Sequence, residues 1–179
     1  MNDYVLLAKN AIEEFVKNGN KLAVSRDLPA EMLANRAGVF VSIHLKPKKN
    51  QKEGELRGCI GTFTASKENI ASEIIDNAVS ACSHDYRFTP INKDELNNLD
   101  ISVDILSEME VVNDITTLNP KIFGIFIRSK NDNRSGLLLP DIPGVTTIHD
   151  QIAIALNKAG IKANEPVDIY RFSVTRYKS

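Results

Sequence analysis

Six consecutive residues, Leu56-Arg57-Gly58-Cys59-Ile60-Gly61, combine a guanidinium, a thiol and two positions of bare main chain. On an extended strand, residues two apart face the same way. Arg57 and Cys59 therefore share one face, and Leu56 and Ile60 point to the other. A guanidinium beside a thiol favours the thiolate, the nucleophilic form of cysteine. Gly58 and Gly61 let a ligand or another backbone come close to the main chain. Free N–H groups beside a thiolate are the parts needed for nucleophilic chemistry with oxyanion stabilisation. The pattern predicts a site for a small anionic or electrophilic group, with Cys59 as thiolate and Arg57 as its activator. A purely structural reading stands beside it. Unpaired cysteines often pack as small hydrophobes, and glycines in a strand often mark only a bulge or a bend. Cys82, on the apolar face of a helical segment, is expected in the core.

The remaining polar residues offer fewer options. His84-Asp85 near a helix end is either an oriented base for Cys59, which needs hydrogen-bond reach, or a helix cap held by the dipole. Asp85 and Arg87 either form a salt-bridged turn packed by Phe88 and Pro90, or Arg87 holds an anion by a bidentate contact. His44 reads as a half-exposed strand residue, and His149 as a solvent-facing residue in the first turn of a helix. The three histidines show no metal-ligand spacing, no Gly-Lys-Ser/Thr follows the glycines, and the dinucleotide fingerprint is missing. No metal or cofactor is expected. Asp100, Ser102 and Asp104 lie on one strand face, which solvent exposure explains.

The elements that must position these residues follow from periodicity. Leu7, Ala8, Ala11, Ile12 and Phe15 recur at helical spacing, and Asn18-Gly19 is a stop signal. A short helical stretch covers Ala30 to Arg36. From Gly38 the period becomes two, with Val39, Val41, Ile43 and Leu45 alternating with Phe40, Ser42 and His44. A polar loop from Pro47 to Gly54 joins this strand to a partner from Glu55 to Phe63. Ser66 is a candidate cap for a helix burying Ile70, Ile74, Ala78, Ala81 and Cys82. Leu99, Ile101, Val103 and Ile105 mark a third strand. The second half repeats this order, with a hairpin from Gly124 to Pro140, then a helix started by Thr147-Ile148-His149-Asp150 and stopped by Gly160. A single final strand is predicted from Val167 to Arg176. The expected fold is α+β: an N-terminal helix, then two β-β-α-β units forming mainly antiparallel sheet with helices packed on it.

Length and composition suit such a fold. The 179 residues fit one domain of two lobes spanning 1–179 and bury roughly 70% of the unfolded surface. The net charge of −1 argues against bulk attraction to nucleic acid or anionic membrane. Lys46-Pro47-Lys48-Lys49 reads as a solvated hairpin tip. No apolar run reaches the ~20 residues of a membrane span, and Met1-Asn2-Asp3-Tyr4 lacks the order of a secretory signal. A reducing cytoplasm with both thiols free is the expected setting.

Leu56-Arg57-Gly58-Cys59-Ile60-Gly61-Thr62-Phe63 closely resembles the signature of the AMMECR domain family. Weaker matches follow in family order at Gly38-Val39-Phe40-Val41-Ser42, Asp85-Tyr86-Arg87-Phe88-Thr89-Pro90, Gly124-Ile125, Leu138-Leu139-Pro140 and Lys158-Ala159-Gly160. The resemblance implies a two-lobed α+β fold with a cleft beside the signature. It also implies association with a Memo-like protein and a radical-SAM protein, the AmmeMemoRadiSam set. It carries no reaction. Many relatives have Asp-Pro-Arg-Phe where this chain has Asp85-Tyr86-Arg87-Phe88, so His84 is not transferred as a catalytic residue. Two functions are expected from the same groove. One is cysteine-dependent chemistry by Cys59 and Arg57, with Gly58, Ile60, Gly61, Thr62, Asp85 and Arg87 binding the ligand. The other is a non-catalytic module that docks a partner protein.

Overall fold

The computed structural model describes residues 2–51 and 54–179; Lys52 and Glu53, in the expected loop from Pro47 to Gly54, lie outside the described residues. The chain divides into two compact units, Met1–Ile105 with Arg176–Ser179, and Leu106–Thr175.

In the first unit, helix α1 (Asp3–Asn18) starts at Asn2, whose side chain accepts the Tyr4 N–H, and ends at Gly19 with φ 73°, a left-handed conformation that glycine adopts without a Cβ clash. A short α2 (Ala30–Ala34) follows. Strands β1 (Val39–Leu45) and β2 (Leu56–Thr62) form an antiparallel hairpin, and β1 also pairs antiparallel with β3 (Leu99–Leu106). Helix α3 (Ile70–Ser83) lies between β2 and β3 in the chain. Val39, Val41 and Ile43 are fully buried and join Ala8, Ile12, Ile74, Ile75 and Ala78 in one core. Alternation leaves Phe40, Ser42 and His44 half-buried on the opposite face.

The second unit repeats the order of elements. Strands β5 (Gly124–Ser129) and β6 (Ser135–Leu138) form a hairpin, followed by helix α4 (Ile148–Ala159) and strand β7 (Val167–Phe172). Thr147 caps α4 by accepting the Asp150 N–H, and Gly160 ends it at φ 64°. Ile125, Ile127, Leu138 and Ala155 centre this core. Strand order is β2-β1-β3-β8 in one sheet and β4-β7-β5-β6 in the other, where β4 is Glu110–Val111 and β8 is Val174–Lys178. The α+β class and the antiparallel hairpins are as expected.

Two local expectations are corrected. The single strand predicted from Val167 to Arg176 is two strands in different sheets. It breaks at Ser173, whose N–H donates to Ser107 Oγ and whose carbonyl accepts the Ser107 N–H. Apolar alternation runs unbroken through this point, so the sequence carries no sign of the change of sheet. The cap of α3 is Asn69, which accepts the Ser72 N–H, and not Ser66. Ser66 instead donates its hydroxyl and its N–H to the Glu73 carboxylate.

Candidate functional site

The signature occupies β2, an edge strand of the first sheet. From Gly58 to Gly61 its faces divide as alternation requires, but a register shift between Ile43 and His44 leaves Arg57 out of the ladder and sets Leu56 opposite His44, not on the Ile60 face as expected. Ile60 packs towards the core, and Gly58 lies so close to α3 that a β-carbon there would collide with the Ala81 carbonyl. Cys59 and Gly61 face the other way, opposite Ser42 and Phe40 of β1. The Phe40 ring occupies the volume a Gly61 side chain would need. The bare main chain expected to admit a ligand is thus used by the fold. Gly58 sets the strand-to-helix distance, and Gly61 seats an aromatic ring.

Cys59 is half-buried. Ser42 Oγ donates to its sulfur at 3.1 Å. The main chain of Cys59 points outward from the sheet edge and is held there by two side chains. Asp85 Oδ2 accepts its N–H at 2.9 Å, and Arg87 Nη2 donates to its carbonyl at 3.1 Å. Asp85 and Arg87 also bind each other through Arg87 Nε and Nη2, at 2.9 and 2.7 Å. This pair gives the edge what a neighbouring strand would supply, one acceptor and one donor. The Cys59 N–H, a candidate oxyanion donor, is therefore already engaged. Asp85 is only 1% exposed at its side chain, whereas Arg87 is 44% exposed. The guanidinium, helped by the Cys59 N–H, outweighs burial and holds the Asp85 carboxyl far below the usual carboxylate range. Arg87 is in turn raised from its ordinary value, by its bonds to Asp85 first, against burial. Arg87 also stands 5.3 Å from the Phe88 ring centroid.

Arg57 is placed differently from the expectation. Its guanidinium binds Glu95 at 2.7 and 3.1 Å and the Thr89 carbonyl at 3.2 Å, and the pair is 14% and 22% exposed. Glu95 also accepts the Asn92 N–H in a capping box that starts a 3-10 turn from Lys93 to Asn98. Arg57 therefore anchors this turn, and the guanidinium that reaches Cys59 belongs to Arg87. Glu95 is lowered from its ordinary range by Arg57 first and the Asn92 N–H second, against burial.

Thr62 belongs to a buried polar cluster. Its hydroxyl donates to Glu73 at 2.7 Å, and Glu73 also accepts the Ser66 hydroxyl and the N–H groups of Ser66 and Lys67, each at 2.8 Å. Glu73 is 1% exposed. Burial alone would raise its pKa, but the donors together lower it. Asn77, one turn further along α3, donates to the Val39 carbonyl at 3.0 Å.

His84 does not reach the thiol as a hydrogen-bonded base: its Nδ1 lies 2.7 Å from Ser83 Oγ, and the residue is the C-cap of α3. Cys82 is buried, and burial pushes its thiol up to about 11. Asp104 is 3% exposed, not solvated as expected, and binds Arg176 of β8 at 2.7 and 2.8 Å. Sequence reasoning missed Ser42, Glu73, Asn77 and Glu95. Glu73 and Asn77 left a trace, as polar residues four apart in register with the apolar stripe Ile70, Ile74, Ala78 and Ala81. Glu95 left one as the third residue after Asn92. Ser42 left none beyond its place opposite the signature.

Among the described residues, no group of three or more His, Cys, Asp or Glu is arranged to hold a metal ion, and no helix is long and apolar enough to cross a membrane. A family model described as AMMECR1 matches residues 5–177. A Thermotoga maritima protein is 45% identical over 98% of this chain and 97% of its own length. A Clostridium acetobutylicum protein is 40% identical over 98% of this chain, which spans 36% of that protein. The crystal structure of an uncharacterized protein from Pyrococcus horikoshii superposes with a TM-score of 0.87 and 27% identity, covering 98% of this chain and 89% of that one.

Proposed function

The chain belongs to the AMMECR1 family, and from that premise we propose that its signature strand presents a single reactive thiol to a small anionic or electrophilic group. The observation that carries this reading is the hydroxyl of Ser42 aimed at the half-buried Cys59 sulfur at 3.1 Å. Negative charge that develops on the sulfur is met by that O–H and by the nearby Arg87 guanidinium, which Asp85 holds in place. Arg87 replaces Arg57 as the assisting cation, because Arg57 is committed to Glu95. The Nη1 of Arg87 has no hydrogen-bond partner among the described residues and remains to hold an anion beside the thiol. In a covalent step the sulfur lone pair would form the new S–C bond as the π pair of the electrophilic carbon moves to its partner atom, and that atom would take up the proton lost by the thiol.

The test is the alkylation rate of Cys59 by iodoacetamide, with the buried Cys82 as an internal control. Cys59 is expected to react at least about tenfold faster than Cys82, since thiolate character and access control the rate. Ser42→Ala and Arg87→Gln should each slow it several-fold. A Cys59 no faster than Cys82, or indifferent to both substitutions, defeats the proposal.

A second reading is favoured by one observation. Tyr86 is 94% exposed, beside the half-exposed Arg87, and tyrosine and arginine are the residue types that dominate binding hot spots. On this reading the 84–90 turn docks a partner, such as the Memo-like or radical-SAM protein that the family resemblance implies. A stable complex with such a partner that survives Cys59→Ala and is lost in Tyr86→Ala selects docking over thiol chemistry.

A further inference from the structure

The second unit carries a polar groove that the thiol site does not use. Ile125 and Ile127 of β5 turn into the core beside Ala155 of α4. Alternation therefore sends Arg128, with its cross-strand neighbour Asp168, and Tyr170 to the opposite face. With Lys130, Asn131 and Asn133 these residues line a groove of about 440 Å³ at the tip of the β5–β6 hairpin, within the range of small-molecule sites.

The hairpin tip is held before any ligand arrives. Ser129 Oγ accepts the Asn131 N–H at 3.1 Å, the Ser129 N–H donates to the Arg134 carbonyl at 2.9 Å, and the Lys130 N–H donates to the Pro166 carbonyl at 3.0 Å. Asp132 accepts the Arg134 N–H at 2.9 Å and the Arg134 guanidinium, which also binds Glu165. Charge within the groove is uneven. Lys130 neutralises Asp168 at 3.0 Å, and Arg134 neutralises Asp132 at 2.8 Å. The Arg128 guanidinium has no ion-pair or hydrogen-bond partner among the described residues, nor do the side-chain amides of Asn131 and Asn133 or the Tyr170 hydroxyl. The groove thus offers one uncompensated guanidinium, one half-buried aromatic ring and two open amides on a fixed frame.

We infer that this groove binds a nucleotide unit, with the base against Tyr170, the phosphate on Arg128 and the base edge read by Asn131 and Asn133. Each part answers a feature of that ligand. An aromatic side chain accepts a base by stacking, a guanidinium matches phosphate geometry, and amides donate and accept along a base edge. The same chemistry is presented by a free mononucleotide and by one residue of a single strand.

Equilibrium dialysis of the full chain against radiolabelled AMP, adenosine and oligoadenylate tests the assignment. AMP should bind saturably. Arg128→Gln and Tyr170→Leu should each weaken it about tenfold, equivalent to ~1.4 kcal/mol, with circular dichroism and melting checking that each variant is folded. Arg128→Gln should leave adenosine binding unchanged, because the lost contact is to phosphate. Asn133→Asp, at an exposed position, replaces the amide donor at the base edge with a carboxylate and should weaken AMP and adenosine alike without disturbing the core. Oligoadenylate that binds at least about tenfold tighter than AMP, with affinity falling as salt rises, identifies a strand as the source. Equal affinities identify the free nucleotide. No saturable binding of AMP or oligoadenylate, or binding unaffected by both Arg128→Gln and Asn133→Asp, overturns the inference.

Discussion

Asp85 serves two parts of the structure at once: it accepts the edge N–H of Cys59 and takes the Arg87 guanidinium in a bidentate pair. Its folded pKa lies far below the ordinary value, through Arg87 first and the Cys59 N–H also, against burial. The sign follows from linkage. A carboxyl depressed in the folded state adds stability that is fully present above the unfolded value of about 4, and this is lost as pH falls through the lower folded value. Asp85→Asn should therefore cost about 2 kcal/mol at neutral pH, the scale of a hydrogen bond to a charged group. The difference from wild type in urea denaturation should shrink as pH falls from about 4 towards the folded pKa. A gap that stays constant into strong acid would show that Asp85 does not carry this charge in the folded protein. The Asp85–Arg87 turn was legible in the sequence because its partners lie two residues apart. The Arg57–Glu95 pair and the Ser42 contact were not, because partners 38 and 17 residues away are set by the fold. Periodicity gives the face a side chain takes, and the partner on that face depends on strand register.

At the scale of elements, the distance between β2 and α3 is fixed by Gly58, where any β-carbon meets the Ala81 carbonyl. The obstacle is helix backbone, which cannot rotate aside as a side chain does. Gly58→Ala should destabilise the fold by about 1–3 kcal/mol through overpacking, read as a lower urea midpoint with an unchanged slope. A neutral Gly58→Ala would mean that α3 moves freely away from the signature strand. Glu73 ties the same helix to the segment after β2 through four donated hydrogens. Glu73→Leu would strand those donors around an apolar side chain and should cost more than Glu73→Gln, which keeps one acceptor oxygen; the same denaturation series ranks them. Most elements were legible: α1, β1, α3, β3 and α4 each show a clean period, and α1 and α4 a glycine stop signal as well. The role of Gly58 was half legible. Its lack of a side chain pointed to a close approach, but only the path of α3 shows that the approaching group is the Ala81 carbonyl.

Over the whole chain, each sheet is completed by a short strand that follows the other sheet's third strand in sequence, β4 after β3 and β8 after β7. The sequence did not reveal this exchange, because β7 and β8 read as one alternating run. The consequence is that the first unit depends on residues at the far end of the chain. Tyr177 stacks on Tyr4 of α1 with ring centroids 4.3 Å apart and planes 3° apart. Ser179 Oγ accepts the Ile101 N–H and donates to the Ile101 carbonyl, each at 2.9 Å. Arg176 supplies the cation for Asp104, whose side chain is 4% exposed. Arg176→Ala leaves that carboxylate buried without its guanidinium. The expected cost is about 2 kcal/mol, less than the ~3–5 kcal/mol of a fully buried pair, because Arg176 is 38% exposed and water can partly replace it. Removal of residues 174–179 takes all three contacts together and leaves β3 as a bare edge. Hydrogen exchange should then show β3 amides losing protection towards the level of locally opened structure, while β5 and β7, held in the other sheet, keep theirs. Unchanged protection of β3 in the shortened chain would mean that the last strand only decorates a sheet stable without it.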